Sequence, residues 1–221
     1  MQLGVNAFAQ FIGNKAIDYH VVMLAKTSGI CVPPPLAAAG CGDSAAFQHV
    51  NVDIGSKDGL EKIIASYGQW QAFLRPGATR HFVMVTDDNS KKDANWFKGQ
   101  IAALSAPGFP DGFTFHSIVA TGATPAETIP FFGCIGGAGH GVVYEELSKT
   151  TGGVIQSICG LSDWGKVFNA IAGKVAASVK VLKCNYSLPA IGDPMKVAMT
   201  FANSSGQAVT VKRVDNEASC P

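Results

Sequence analysis

His81-Phe82-Val83-Met84-Val85-Thr86-Asp87-Asp88-Asn89-Ser90 is an apolar run rich in valine that breaks into an acidic turn. Six such residues bounded by turn formers read as a core strand. The helical spacing of Trp96, Phe97, Ile101 and Leu104 that follows predicts a helix. Strand, acidic tip, helix is therefore one unit, and the same grammar extends both ways along the chain. Upstream, Tyr19 to Leu24 predicts a buried strand and Phe47 to Val52 an edge strand. Ser56 stands where an N-cap is expected before a helix carrying Leu60, Ile63, Ile64 and Tyr67, with Pro76-Gly77 ending that unit. Val5, Phe8, Ala9, Phe11 and Ile12 predict a helix at the start of the chain. Downstream, Phe113 to Ala120 predicts a strand, Val142 to Thr150 a helix, Gly153 to Ser157 a short strand and Val167 to Val179 a last amphipathic helix. This alternation predicts an α/β fold, a doubly wound, mostly parallel, Rossmann-like sheet with helices on both faces and ligands at the carboxyl ends of its strands. After about residue 179 only short apolar runs remain, Met195 to Phe201 and Ala208 to Val211 among them, separated by turns. Residues 1–178 are thus expected to form the main domain and 179–221 a small β extension.

The chain has 221 residues, 47% hydrophobic and 15% charged, with 25 glycines and 11 prolines, enough apolar material for a substantial core. Seventeen basic against sixteen acidic residues give a formal charge of +1, which supplies no basic field for a phosphate backbone, so nucleic acid is excluded as a partner. No apolar run approaches the roughly 20 residues that span a bilayer. Residues 1–8 lack the cationic and apolar blocks of a signal peptide. Six cysteines, Cys31, Cys41, Cys134, Cys159, Cys184 and Cys220, form an even set without C-x-x-C spacing, which favours disulfides and an oxidising compartment over structural zinc. The Pro-rich stretch Ile30 to Pro35, closed at Cys41, is expected to be a solvent-facing ring; Cys134 with Cys159 and Cys184 with Cys220 are further candidate pairs.

Asp87 and Asp88 at a strand end have the oxygen chemistry of a hard-cation site, although a solvated turn with a capping role is the default for such a pair. Gly133 to Gly139 is rich in glycine but lacks the Lys-Ser/Thr of a phosphate loop. His20, His81 and His116 fall at or within strands and are expected to be structural, whereas His140, between two glycines, is expected to be exposed. No G-x-S-x-G elbow occurs; a hydrolase would have to use Cys134 or Ser157 as nucleophile with His140. Tyr67, Trp70, Phe73 and Trp96 are expected to pack helices onto the sheet, and loops 31–41 and 122–141 are the better candidates for recognition.

The strand and tip His81 to Asp88 resemble the central strand and acidic tip of von Willebrand factor type A domains. Ser56-Lys57-Asp58-Gly59-Leu60 is similar to that family's Thr-x-x-x-Leu helix start, and Val143-Tyr144-Glu145-Glu146-Leu147, Thr151-Gly152-Gly153-Val154 and Trp164 to Val175 are similar to its closing helix, strand and last helix. The resemblance covers about residues 1–178. It implies a binding or adhesion module, not an enzyme, with a metal-ion-dependent adhesion site for Mg²⁺ or another divalent cation at the carboxyl edge and an extracellular protein or other ligand as partner. Ser56 stands at the family's threonine and Asp87 at its third-loop aspartate. The family's Asp-x-Ser-x-Ser and the strand before it are missing, so the site is expected to be incomplete here, Mg²⁺ binding weak or nil, and the chain an N-terminally truncated form of a secreted or surface protein. A hydrolase-like fragment and a purely structural module are the alternative readings.

Overall fold

The computed structural model describes residues 17–27, 29–121, 138–159, 163–178, 200–202 and 208–210. The chain divides into two compact units, Met1–Val179 and Lys180–Pro221. In the first, β1 (Val21–Ala25) pairs in parallel with β2 (Phe47–Asn51), and β3 (His81–Thr86), β4 (Thr114–Val119) and β5 (Ile155–Ser157) form a three-stranded parallel sheet in that order. Helices α1 (Gly59–Ala65), α2 (Tyr67–Trp70), α3 (Ala94–Ala102), α4 (Val142–Thr151) and α5 (Trp164–Ser178) lie between and after the strands. The fold is mixed α/β with parallel sheets. In the second unit, β6 (Thr200–Ala202) and β7 (Ala208–Thr210) form an antiparallel pair, Phe201 opposite Val209. The expected N-terminal helix and Cys134, Cys184 and Cys220 lie outside the described residues.

Alternation along β4 explains its continuous apolar run. Phe115 and Val119 point into a cluster with Leu60 of α1, Phe97 and Ile101 of α3, and Tyr144 and Leu147 of α4. Ile118 points the other way, against Val167, Phe168 and Ile171 of α5. Helices cover both faces, so a strand here has no solvated side to make polar. Complete burial of each of these side chains contributes about 1.5–3 kcal/mol, which makes the β4 layers the main source of cohesion.

The ends of the helices follow local chemistry. Asp93 caps α3 by accepting from the Trp96 N–H at 2.8 Å, and α4 ends at Gly152 in the left-handed region, φ 74°. Ser56 does not cap α1. It lies exposed in the preceding turn, and Asp58 takes the N-cap position without a side-chain hydrogen bond. The helix begins two residues later, and α1 is pressed onto β3: a Cβ on Gly59 would lie 2.8 Å from the Met84 methyl. Only glycine allows that approach without displacing Met84.

The ring expected to face solvent does so at Cys31, Pro34, Pro35, Ala39 and Gly40, but it also buries three of its side chains in the core. Cys31 and Cys41 are disulfide-bonded, with Cα atoms 5.0 Å apart. Val32, Leu36 and Ala37 within the ring are 1–3% exposed and pack with Phe47, Ile118 and α5. The ring folds inward because Ser44 Oγ donates to the Leu36 carbonyl at 2.7 Å and the Ala38 N–H donates to the Gly42 carbonyl at 2.9 Å, closing the chain over its apolar residues. Cys159 is also disulfide-bonded. Among the described residues no helix is long and apolar enough to cross a membrane.

Candidate functional site

Parallel strands deliver their following loops to one edge, and the best-built part of that edge is the turn after β3. The carbonyl of Asp87 accepts from the Ala138 and Gly139 N–H groups at 2.8 and 3.0 Å, docking the segment that leads into α4. Asn89 Oδ1 accepts from the Val143 N–H at 3.1 Å and fixes the start of α4 on the same turn. Asp88 is the buried member of the acidic pair, 4% exposed, while Asp87 is half-buried. Asp88 Oδ1 accepts from the Asn89 N–H at 2.8 Å, and Oδ2 lies 3.7 Å from the Lys57 ammonium, which is itself half-exposed. A Cβ on Gly139 would lie 3.0 Å from Asp88 Oδ1, so glycine lets the 138–141 backbone close over the carboxylate.

The loop after β2 joins this edge through Lys57 more than through Ser56. Besides meeting Asp88, Lys57 offers its carbonyl to the Lys91 N–H at 3.0 Å. Behind the turn sits Tyr144, whose hydroxyl is pushed up to about 12, chiefly by burial; a hydrogen bond with Ser90 acts in the opposite direction. Lys57, Asp88 and Asn89 are the site residues that sequence reading passed over or ranked below Asp87. For Asn89 a signal existed, since asparagine after a strand-end Asp pair is well suited to bonding backbone N–H groups.

Mg²⁺ takes about six oxygen ligands in near-octahedral geometry. Ser56 and Asp87 offer two side chains, the Asp88 carboxylate is engaged by Lys57 and the Asn89 N–H, and among the described residues no group of three or more His, Cys, Asp or Glu could hold a metal ion. The described residues by themselves do not fit a Mg²⁺ site.

The histidines divide into two kinds. His20 Nδ1 lies 2.7 Å from the Phe73 carbonyl, with its ring stacked on Phe73. Half-buried His81 and fully buried His116 form a pair next to Ser178 at the opposite, amino end of the sheet. Ser178 Oγ to His81 Nε2 is 2.9 Å and His81 Nδ1 to His116 Nε2 is 3.1 Å, the order of a nucleophile, a base and an orienting group. The proton positions contradict that role. The Val154 N–H donates to His116 Nδ1 at 3.0 Å, so the neutral His116 carries its proton on Nε2 and donates to His81 Nδ1. His81 then carries its proton on Nε2, facing Ser178, and has no lone pair there with which to activate the hydroxyl. Ser178 Oγ accepts that proton's hydrogen bond and donates onward to the Val175 carbonyl at 2.7 Å. The relay is structural.

His140, expected to be exposed, is half-buried. Its Nε2 lies 2.8 Å from Glu145 Oε1, one turn into α4, and Glu145 Oε2 accepts from Lys149 at 2.8 Å. Burial opposes ionisation of Glu145, but the hydrogen bonds from Lys149 and His140 outweigh it and hold its carboxyl below the ordinary value. Ser157 accepts from the Cys159 N–H at 3.1 Å, a local turn contact, and Cys134 lies outside the described residues. Tyr67 and Trp70 are buried as expected, and Trp96 is half-buried beneath the Lys92 ammonium, 5.3 Å from the ring centroid. Comparison with protein-family models, curated proteins and solved structures finds no match for this chain.

Proposed function

We propose that this chain is a binding module of the von Willebrand factor type A kind, doubly wound and Rossmann-like, acting at the carboxyl edge of its parallel sheet on an extracellular protein or other ligand. The observation that carries the reading is the turn after β3, where Asp88 is buried beside Lys57 and its neighbours Asp87 and Asn89 accept from the Ala138, Gly139 and Val143 N–H groups of the segment entering α4. Such a rigid strand tip, ringed by loops from β2 and from the 138–141 segment, is where parallel sheets of this architecture take ligands. The Cys31–Cys41 disulfide supports a secreted or cell-surface setting. Ser56 and Asp87 are the two residues that would contribute to a divalent-cation site, with the remaining oxygen ligands supplied from an Asp-x-Ser-x-Ser strand that this sequence does not contain. On this reading the chain binds without catalysing a reaction.

Calorimetric titration with MgCl₂ tests the metal part. The chain as it stands should give weak heats or none, and a fusion carrying an upstream strand ending in Asp-x-Ser-x-Ser should bind Mg²⁺ and lose that binding on Asp87→Ala. Tight Mg²⁺ binding by the unfused chain would overturn the incomplete-site reading.

A further inference from the structure

An asparagine accepts an N-linked glycan when a serine or threonine stands two positions on and the residue between is not proline. Of the nine asparagines in the chain two meet that rule, Asn185 in Asn185-Tyr186-Ser187 and Asn203 in Asn203-Ser204-Ser205. Both fall in the second unit, Lys180–Pro221, whose one other asparagine is Asn216. The six of the first unit, Asn6, Asn14, Asn51, Asn89, Asn95 and Asn169, each lack the serine or threonine. The acceptor motif is therefore partitioned between the units, absent from every loop of the larger one.

Topology favours Asn203 over Asn185, because the strands on either side of it are placed. β6 ends at Ala202 and β7 begins at Ala208, and these two residues are partners in the antiparallel ladder. Residues 203–207 are thus the connection that closes a hairpin, and Asn203 is its first residue. The sequence divides its polarity in the same way. Phe201 and Val209 face each other within the ladder, whereas Asn203-Ser204-Ser205-Gly206-Gln207 contains no apolar side chain. Burying this connection would gain no hydrophobic free energy and would take amides and hydroxyls out of water. A glycan carries many hydroxyls and must itself stay in water, a requirement that a polar hairpin connection meets and a strand interior does not. The compartment fits as well, since the Cys31–Cys41 disulfide forms where secreted chains are oxidised.

We propose that Asn203, at the start of the β6–β7 connection, carries an N-linked glycan, so that the second unit is the glycosylated part of the chain and the strand tips of the first unit carry none. The transfer is a substitution at a sugar's anomeric carbon. Asn203 Nδ2 attacks C1 of an oligosaccharide held on a polyprenyl diphosphate; the N–C1 bond forms, the bond from C1 to the diphosphate oxygen breaks, and the polyprenyl diphosphate leaves as the amide gives up one proton. Nothing is oxidised or reduced. The lipid-linked oligosaccharide and its transferase belong to the secretory compartment, so the proposal rests on the secreted or cell-surface setting of the module and is independent of the metal site.

The test is peptide mass spectrometry on the full protein recovered from its source cells and their medium. Trypsin separates the two motifs, giving Cys184–Lys196 with Asn185 and Val197–Lys212 with Asn203. In protein from the medium or cell surface, Val197–Lys212 should be heavier by the mass of a glycan. An amidase that releases N-linked glycans should remove that mass and leave Asn203 hydrolysed to aspartate. Asn203→Gln and Ser205→Ala should each abolish the mass shift, and Ser205→Thr, which restores the acceptor motif, should keep it. Extracellular protein with Asn203 unmodified, or with a glycan on Asn185 alone, would overturn the proposal and leave the secreted reading standing. Protein confined to the cell interior with its cysteines as free thiols would overturn the secreted reading and this proposal with it.

Discussion

His116 Nε2 donates to His81 Nδ1 at 3.1 Å, and the Val154 N–H at His116 Nδ1 dictates that direction. Both rings are neutral links in a chain of donors running from the segment before β5 through β4 and β3 to α5. Burial lowers His81 from 6.5 to about 4, and burial, with His81 and Lys174 nearby, lowers His116 from 6.5 to about 4.

Stability should therefore fall with acidification before the carboxylates titrate. Between about pH 6.5 and 4 the unfolded chain binds protons that the folded chain refuses, so unfolding free energy drops as pH falls, by up to about 1.4 kcal/mol per pH unit for each histidine. Above pH 6.5 both states are neutral and the contribution is flat. Urea midpoints from pH 7 to 4.5 check this. In His81→Gln, whose amide keeps an acceptor toward His116 and a donor toward Ser178, the slope should be about halved; an unchanged slope would remove the pair as its cause.

Tyr67→Phe should destabilise the fold by about 1–3 kcal/mol. The hydroxyl donates to the Ser105 carbonyl at 2.7 Å and accepts from the buried Gly108 N–H at 2.9 Å, so its loss strands a donor and an acceptor while the ring contact with Trp70 persists. Equilibrium denaturation reads the loss directly.

Gly153→Ala should be far worse than its size suggests. A Cβ there would collide with the Phe115 carbonyl, a backbone atom of the buried strand that no rotamer change can move. The cost should reach at least about 3 kcal/mol, the upper end of ordinary overpacking, and is measured by thermal melting against Gly173→Ala, where a Cβ meets nothing.

Replacing Cys31 and Cys41 together by serine should lower stability by about 3 kcal/mol from loop entropy alone. Because Val32, Leu36 and Ala37 are core residues, near-ultraviolet circular dichroism should show loosened packing around Trp164 and Phe168 on α5, an effect a merely peripheral ring would not produce.

Much of this architecture is written locally. The run His81 to Thr86 contains its own period and its own stop, so β3 begins and ends where the residues say, and β4, α3 and α4 follow within two residues for the same reason. The strand-tip carboxylates were likewise legible, since an acidic turn after an apolar run has a recognisable composition. Which of them is buried was not: Asp87 and Asp88 are chemically identical, and only the docking of 138–143 onto the turn separates them. The half-burial of His140 is not legible in the sequence because its partner, Glu145, becomes a neighbour only when α4 forms.

Sequence alone determined the α/β alternation, the near-neutral charge and the cysteine set, because each depends on residue type and short-range spacing. Tertiary structure decided that Val32, Leu36 and Ala37 of the Cys31–Cys41 ring are buried in the core, that Lys57 reaches Asp88, and that β1 pairs with β2 while β3, β4 and β5 form a sheet of their own. Those facts depend on contacts between residues tens of positions apart, where no local pattern records which face a ring will close upon or which strand will stand beside which.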